Sequence, residues 1–184
     1  MAIEAIAAKG ATARLRVLFS LALGVWALWL ANHPGHFGFL DSIDLAIHET
    51  GHLVFGPFGE TIGAFGGTLF QLIVPGVFVG YFAAKRDWYA ATIPLWWLGQ
   101  NCFNIATYVG DARALELPLV GGGEHDWAFL LAEWDLLHRD IAIGRAVHGV
   151  GALICLAAAV LGAILRKAEG GRRKAEGGRH DAGN

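Results

Sequence analysis

The sequence predicts an all-α fold, a polytopic membrane helical bundle with about five or six membrane segments. Composition is the first reason, because 55% of the 184 residues are hydrophobic, only 16% are charged, and the mean hydropathy is +0.46. Uncharged apolar runs are the second reason. They recur at residues 17–31, 62–84 and 88–109, and a fourth apolar run, 141–165, carries one charged residue, Arg145. Residues 1–165 are therefore predicted to form a single membrane domain with no separate soluble domain of any size.

Positive charges predict the topology. Lys9, Arg14 and Arg16 precede the first apolar run, and Lys85 and Arg86 follow the second. The positive-inside rule places both groups in the cytoplasm. The two placements agree only if the segment between these runs does not cross fully, so one membrane segment is predicted to be re-entrant.

The chain ends in a repeated basic sequence. RKAEGGR stands at 166–172 and again at 173–179. A Gly-rich charged segment of this kind cannot build a core. Residues 166–184 are predicted to be a disordered, basic cytoplasmic tail, so that both termini lie in the cytoplasm. We expect the lipid bilayer as a partner, and no nucleic acid.

A metal-binding motif stands at the centre of a predicted helix over 41–58, where His48, Glu49 and His52 spell H-E-x-x-H. Residues four apart share one face of a helix, so the two imidazoles point to one spot and suit a divalent metal, above all Zn²⁺. A catalytic zinc keeps a position open for water, and an adjacent carboxylate can accept that water's proton. Glu49 is placed for this role as general base.

The third ligand is open between two residues on the sequence alone. Asp111 follows the apolar run 88–109. It can supply the anionic oxygen that a zinc ion bound by only two histidines still needs. His125 is its rival, next to a helix start capped by Asp126. Asp44, one turn before His48, is either a carboxylate favoured by the helix dipole or an acceptor that orients the His48 ring.

The sequence H-E-T-G-H at 48–52 in a membrane segment, with Asn104 and then Asp111 near the end of a later run, resembles the site-2 protease family of intramembrane zinc metalloproteases. The resemblance covers roughly residues 43–120. It implies zinc held by His48, His52 and Asp111, with Glu49 as general base on a metal-bound water. It also implies a role for Asn104 in holding the substrate.

The same resemblance implies a reaction and a place. The substrate is a single-span membrane protein or peptide, cleaved within the membrane, and a bacterial inner (plasma) membrane is the expected location. Two departures from the family's pattern are visible. Asn104-Ile105 replaces the usual Asn-Pro, and Gly110-Asp111-Ala112 replaces Leu-Asp-Gly.

Two other functions compete with proteolysis. The chain could be a non-proteolytic relative that serves as an accessory or assembly subunit of a membrane complex, which its small size favours. It could also be a zinc hydrolase acting on a small lipid-phase substrate. Glu49 favours catalysis, since a purely structural metal site would not need that carboxylate.

Overall fold

A computed structural model describes the backbone of residues 2–120 and 124–180 and the side chains of 10–120 and 124–165. Along these residues the chain is all-helical, as predicted, and no strand occurs among them. Short 3₁₀ turns at Gly56–Phe58 and Leu137–Arg139 join some of the helices. The six α-helices are α1 (Ala2–Ala31), α2 (Phe39–Phe55), α3 (Glu60–Ala84), α4 (Trp88–Gly110), α5 (Asp126–Glu133) and α6 (Asp140–His180).

Within the described part of the chain, three segments are long and apolar enough to cross a membrane, namely Gly10–Ala31, Glu60–Ala84 and Leu137–Leu165. The chain is therefore consistent with a membrane protein, but the predicted count of five or six spans is not confirmed. The 17 residues of α2 reach only about 26 Å at 1.5 Å per residue, less than the ~30 Å hydrocarbon core. The re-entrant segment and the orientation of the termini stay predictions.

Helix α4 is long enough to cross but is not among these three segments. Its second half carries amide side chains, and Gln100 and Asn101 are both buried. Polar side chains at such depth must face protein rather than lipid. The 23 residues of α4 accordingly contact all five other helices, α6, α3, α1, α2 and α5, which places this helix at the centre of the bundle.

Small residues allow α4 and α6 to approach closely. A Cβ added to Gly99 would lie 2.7 Å from the sulfur of Cys155, and one added to Gly151 would lie 2.7 Å from the carbonyl oxygen of Gly99. Cys155 and Cys102 are buried free thiols, in agreement with their interpretation as small core residues. Trp96 belongs to the same buried hydrophobic cluster as Cys155, and its indole N–H donates to the Leu23 carbonyl.

The motif helix α2 packs against α3 through glycines. A Cβ on Gly51 would clash with the carbonyl oxygen of Gly66, and one on Gly66 would lie 2.5 Å from Cβ of Phe55. Three glycines of α3, Gly63, Gly66 and Gly67, lie at this contact.

The predicted bounds of the motif helix, 41–58, need a correction at both ends. Helix α2 begins at Phe39, with Gly38 as its N-cap, because Asp41 reaches back and its Oδ2 accepts from the Gly38 amide at 2.7 Å. It ends at Phe55, before the Gly-Pro turn. At the other end of the chain, the backbone of α6 extends to His180 and so includes most of residues 166–184. The disorder of that segment stays a prediction.

The short helix α5 returns the chain to the middle of the bundle. Leu130 and Leu131 are buried, and the indole N–H of Trp127 donates to the hydroxyl of Thr68 on α3 at 3.1 Å. Burial of these apolar side chains fixes the start of α5 beside α2 and α3. This placement brings Asp126, the first residue of α5, to the motif histidines.

Candidate metal centre

Both motif histidines contact a single carboxylate oxygen. Nε2 of His48 lies 3.1 Å from Oδ2 of Asp126, and Nε2 of His52 lies 3.2 Å from the same atom. The two imidazole rings share one face of α2, as their spacing predicts, with centroids 4.8 Å apart. One ligand atom from each of the three side chains lies within 4.8 Å of those of the others, a grouping that could hold a metal ion.

The other ring nitrogen of each histidine has a fixed partner. Nδ1 of His48 lies 3.1 Å from Oε1 of Gln71, and Nδ1 of His52 lies 2.8 Å from the carbonyl oxygen of Gly63. Both partners are acceptors, so each Nδ1 donates to its partner and each Nε2 faces Asp126, as an N–H donor to the carboxylate or, once that proton is displaced, as a lone pair for a metal. Metal-binding histidines are oriented in just this way, by acceptors behind the ring.

Gln71 belongs to a chain of buried amides and a carboxylate. Its Nε2 donates to Oδ1 of Asn104 at 3.0 Å, and Asn104 donates in turn to Oδ1 of Asp41 at 3.3 Å. Gln100 donates to the same Asp41 oxygen at 3.1 Å. Asn104, predicted to hold substrate, is thus linked to His48 through Gln71. It also borders a cavity next to His48.

Tyr108 holds Asp126 in place from the opposite side. Its hydroxyl donates to Oδ2 of Asp126 at 3.1 Å and accepts from the Asp126 amide at 3.2 Å. Burial alone raises the pKa of Asp126, but hydrogen bonds from His48 and His52 outweigh it and hold that pKa below its usual range. Asp126 is therefore a carboxylate at neutral pH, the form that binds metal.

Glu49 lies between two cavities. The acidic cavity, of about 440 Å³, is lined by polar and small residues that include Glu49, His52, Glu60, Glu124 and Asp126. The apolar cavity, of about 240 Å³, borders His48 and Glu49 and has walls formed by Leu30, Phe37, Leu45, Phe103, Pro118 and Leu119. Glu49 is thus accessible beside the histidines, where a general base is needed.

Asp111 and His125, the two residues expected to compete as third ligand, contact each other instead. Oδ2 of Asp111 lies 3.4 Å from Nε2 of His125, and the Asp111 carboxylate accepts from the amides of Glu116 and Leu117. His125 caps α5 by accepting from the Ala128 amide, and burial lowers the pKa of its imidazole. Among the described residues, Asp126 takes the position that the sequence interpretation assigns to Asp111.

Asp44 is likewise not the acceptor behind His48. Its Oδ1 accepts from the indole N–H of Trp97 at 2.8 Å, and the residue is fully buried. The ring of His48 is oriented by Gln71 instead. Asp44 therefore connects α2 to α4. It acts on the histidines only by positioning α2, the helix that carries them.

Sequence reasoning did not find Asp126, Gln71 or Tyr108 as site residues. Asp126 was interpreted as a helix cap because it begins an amphipathic segment. Gln71 is the sole amide in an apolar run, and such a residue at membrane depth signals a buried partner. Tyr108 carries no sequence signal that separates it from an interfacial aromatic residue.

Comparison of the chain with family models, with curated proteins and with solved structures finds no match. The geometry of the site therefore carries the functional argument.

Two of the three separations in this group are compatible with a zinc ion. Ligand atoms on a tetrahedral zinc with bonds of about 2.0 Å lie about 3.3 Å apart, close to the 3.1 and 3.2 Å that separate the two Nε2 atoms from Asp126 Oδ2, while the set as a whole spans up to 4.8 Å and would have to close around the ion. Two imidazoles and one carboxylate are also the ligand set of catalytic zinc sites with one open position. Buried side chains of this type need either one another or a metal.

Proposed function

We propose that the chain is a zinc-dependent intramembrane endopeptidase that hydrolyses a peptide bond in a membrane-anchored substrate. His48, His52 and Asp126 would hold the metal, and Glu49 would act as general base. The observation that carries the proposal is the convergence of both Nε2 atoms on Asp126 while both Nδ1 atoms donate to fixed acceptors. This arrangement supports a ligand set, because metal-binding histidines are commonly oriented by an acceptor on the second ring nitrogen.

The chemistry divides between the metal and Glu49. A bound zinc supplies Lewis-acid activation of water and of the scissile carbonyl. Glu49, next to His48 in sequence and facing both cavities, accepts the proton from the attacking water and returns it to the amine nitrogen of the leaving fragment. The carboxylate has no hydrogen bond or ion pair in the described part of the chain, so it is available for this transfer.

The location of the site supports a membrane-anchored substrate. The three proposed ligands are on α2 and α5, in a bundle whose described residues include three apolar segments long enough to cross a bilayer. A peptide held in the bilayer or at its interface would lie close to such a bundle. Its helix must unwind locally, because a helix hides its carbonyls from a nucleophile.

Metal content and cleavage test the proposal together. The full chain, purified in detergent, is expected to contain about one zinc per chain by mass spectrometry, and His48→Ala is expected to lose it. The zinc-loaded chain is then reconstituted with a library of single-span reporter proteins, and the products are identified by mass spectrometry. Cleavage by the wild type and at least a hundredfold slower cleavage by Glu49→Gln are expected.

Glu49→Gln is the matched control, because it keeps the shape of the side chain and leaves the three proposed ligands in place. If that variant binds zinc and cleaves as fast as the wild type, Glu49 is not the base. If the wild type binds no zinc even after incubation with it, the metalloprotease proposal fails. The accessory-subunit function then becomes the better explanation.

A further inference from the structure

We infer that the apolar cavity beside Glu49 is a specificity subsite that takes one large apolar side chain of the substrate. The inference rests on the proposed function and names the residue type that the site selects. Its location is the first argument. The cavity borders His48 and Glu49, and it shares Glu49, Tyr108 and Leu119 with the acidic cavity on the other side of the metal centre.

The size of the cavity is the second argument. Its volume is about 240 Å³, whereas an apolar cavity of about 150 Å³ is enough to bind a benzene ring. A side chain as large as leucine or phenylalanine therefore fits, and an alanine side chain would leave most of the space empty. Contact with the walls is lost where space stays empty, so a small side chain binds more weakly.

The chemistry of the walls is the third argument. Leu30 and Phe103 are buried in the bundle, and Leu45 lies on α2 one turn before His48. Pro118 and Leu119 close the cavity from the loop that follows α4. Binding in a cavity with such walls is favourable for an apolar group, which leaves water. It is not favourable for a charged group, which would lose its hydration.

Many of the polar groups in the same wall already have partners. Asp41 accepts from the Gly38 amide through one oxygen and from Gln100 and Asn104 through the other. His33 donates to the Trp29 carbonyl. The groups without a hydrogen-bond partner among the described residues include Glu49, the proposed general base, and the buried Oε1 of Gln100. Apolar side chains form most of the surface that a ligand in this cavity would contact.

Dipeptide hydroxamates provide a test that does not depend on cleavage. The hydroxamate group binds zinc. One residue of the dipeptide is varied and is glycine, alanine, leucine or phenylalanine. Affinity for the zinc-loaded full chain is measured by calorimetry. The dissociation constant is expected to fall from alanine to leucine to phenylalanine, by at least about tenfold overall, since each buried methylene contributes roughly 0.8 kcal/mol.

Two leucines of the motif helix offer a matched pair of variants. Leu45→Asn places an amide in the cavity wall and is expected to reduce the advantage of phenylalanine over alanine to less than about twofold. Leu53→Asn changes a residue of α2 that is 81% exposed and lines neither cavity, so the advantage is expected to remain. Leu119→Ala, in the loop, serves as a second cavity variant.

Bound zinc in each variant shows that the fold is intact. Equal affinity for all four hydroxamates in a chain that binds zinc would overturn the subsite and leave the proposed metalloprotease standing. A chain that binds neither zinc nor any hydroxamate would overturn the proposed function and the subsite with it. An unchanged preference in both Leu45→Asn and Leu119→Ala would place the selective pocket elsewhere and also overturn the inference.

Discussion

The Nε2 atom of His125 lies 3.4 Å from Oδ2 of Asp111, and this contact ties the end of α4 to the start of α5. The Asp111 carboxylate also accepts from two amides of the loop that leaves α4. Because His125 precedes Asp126, the contact positions the carboxylate that meets the motif histidines. Asp111 thus acts on the site through the loop and not by direct contact.

Asp126→Asn is expected to lose bound zinc, since it replaces the only anionic side chain of the proposed ligand set with a neutral amide. Asp111→Asn is expected to retain at least half of the wild-type zinc, because its side chain contacts His125 and not the motif histidines. Mass spectrometric metal content of the two purified variants checks this difference. The opposite order would restore Asp111 as third ligand.

Gln71→Leu is expected to weaken zinc binding by roughly 10–100-fold, because it removes the acceptor that orients the His48 ring. Affinity is measured by competition with a chromophoric chelator. Gln71→Glu is the control, since a carboxylate keeps an acceptor for His48 Nδ1 at the same position. Equal zinc affinity in Gln71→Leu and the wild type would show that this hydrogen bond does not support the ligand.

Gly67→Ala is expected to displace His48 and reduce zinc content. A Cβ at this position would lie 2.5 Å from Nε2 of His48, so the ring must move away from Asp126. Gly80→Ala, on the same helix, meets nothing within 4 Å and is expected to bind zinc as the wild type does. Both variants are compared by metal content after purification. Loss of zinc in both would indicate a general effect of alanine on α3 instead.

Arg113→Ala is expected to lower the thermal stability of the purified chain, on the order of 2–4 °C. The Arg113 guanidinium lies 2.7 Å from Oδ1 of Asp140, a carboxylate only 1% exposed that would lose its counter-charge. The loss is modest, because the Arg113 side chain is about half exposed and the amides of Arg113 and Ile141 still donate to Asp140. Arg145→Ala, an exposed arginine without an ion pair in the described part of the chain, is the control. Unfolding is followed by circular dichroism, and equal midpoints for both variants would contradict the prediction.

The ligand set could be predicted from sequence only where it is local. His48 and His52 lie four residues apart on one helix, so their shared face follows from helix geometry alone. Asp126 lies 78 residues after His48 and reaches it through a loop and the burial of Leu130 and Leu131. No periodicity reports such a contact. Asp111 was the better sequence candidate because it directly ends an apolar run.

The helical class and the apolar character of the chain also depend on local sequence. They could therefore be predicted. The count of spans could not, because it depends on which helices face lipid. Helix α4 is uncharged, yet Gln100 and Asn101 are buried and the helix contacts five other helices. Only the packing around α4 distinguishes a lipid-facing helix from a central one.

The distance along the chain between His48 and Asp126 has a consequence for biosynthesis. The ribosome adds roughly 5–20 residues per second, so both histidines are made several seconds before the carboxylate that completes their site. A nascent chain that has inserted its first helices therefore lacks the third ligand. The cluster of His48, His52 and Asp126 can form only once α5 has been made and has docked beside Thr68.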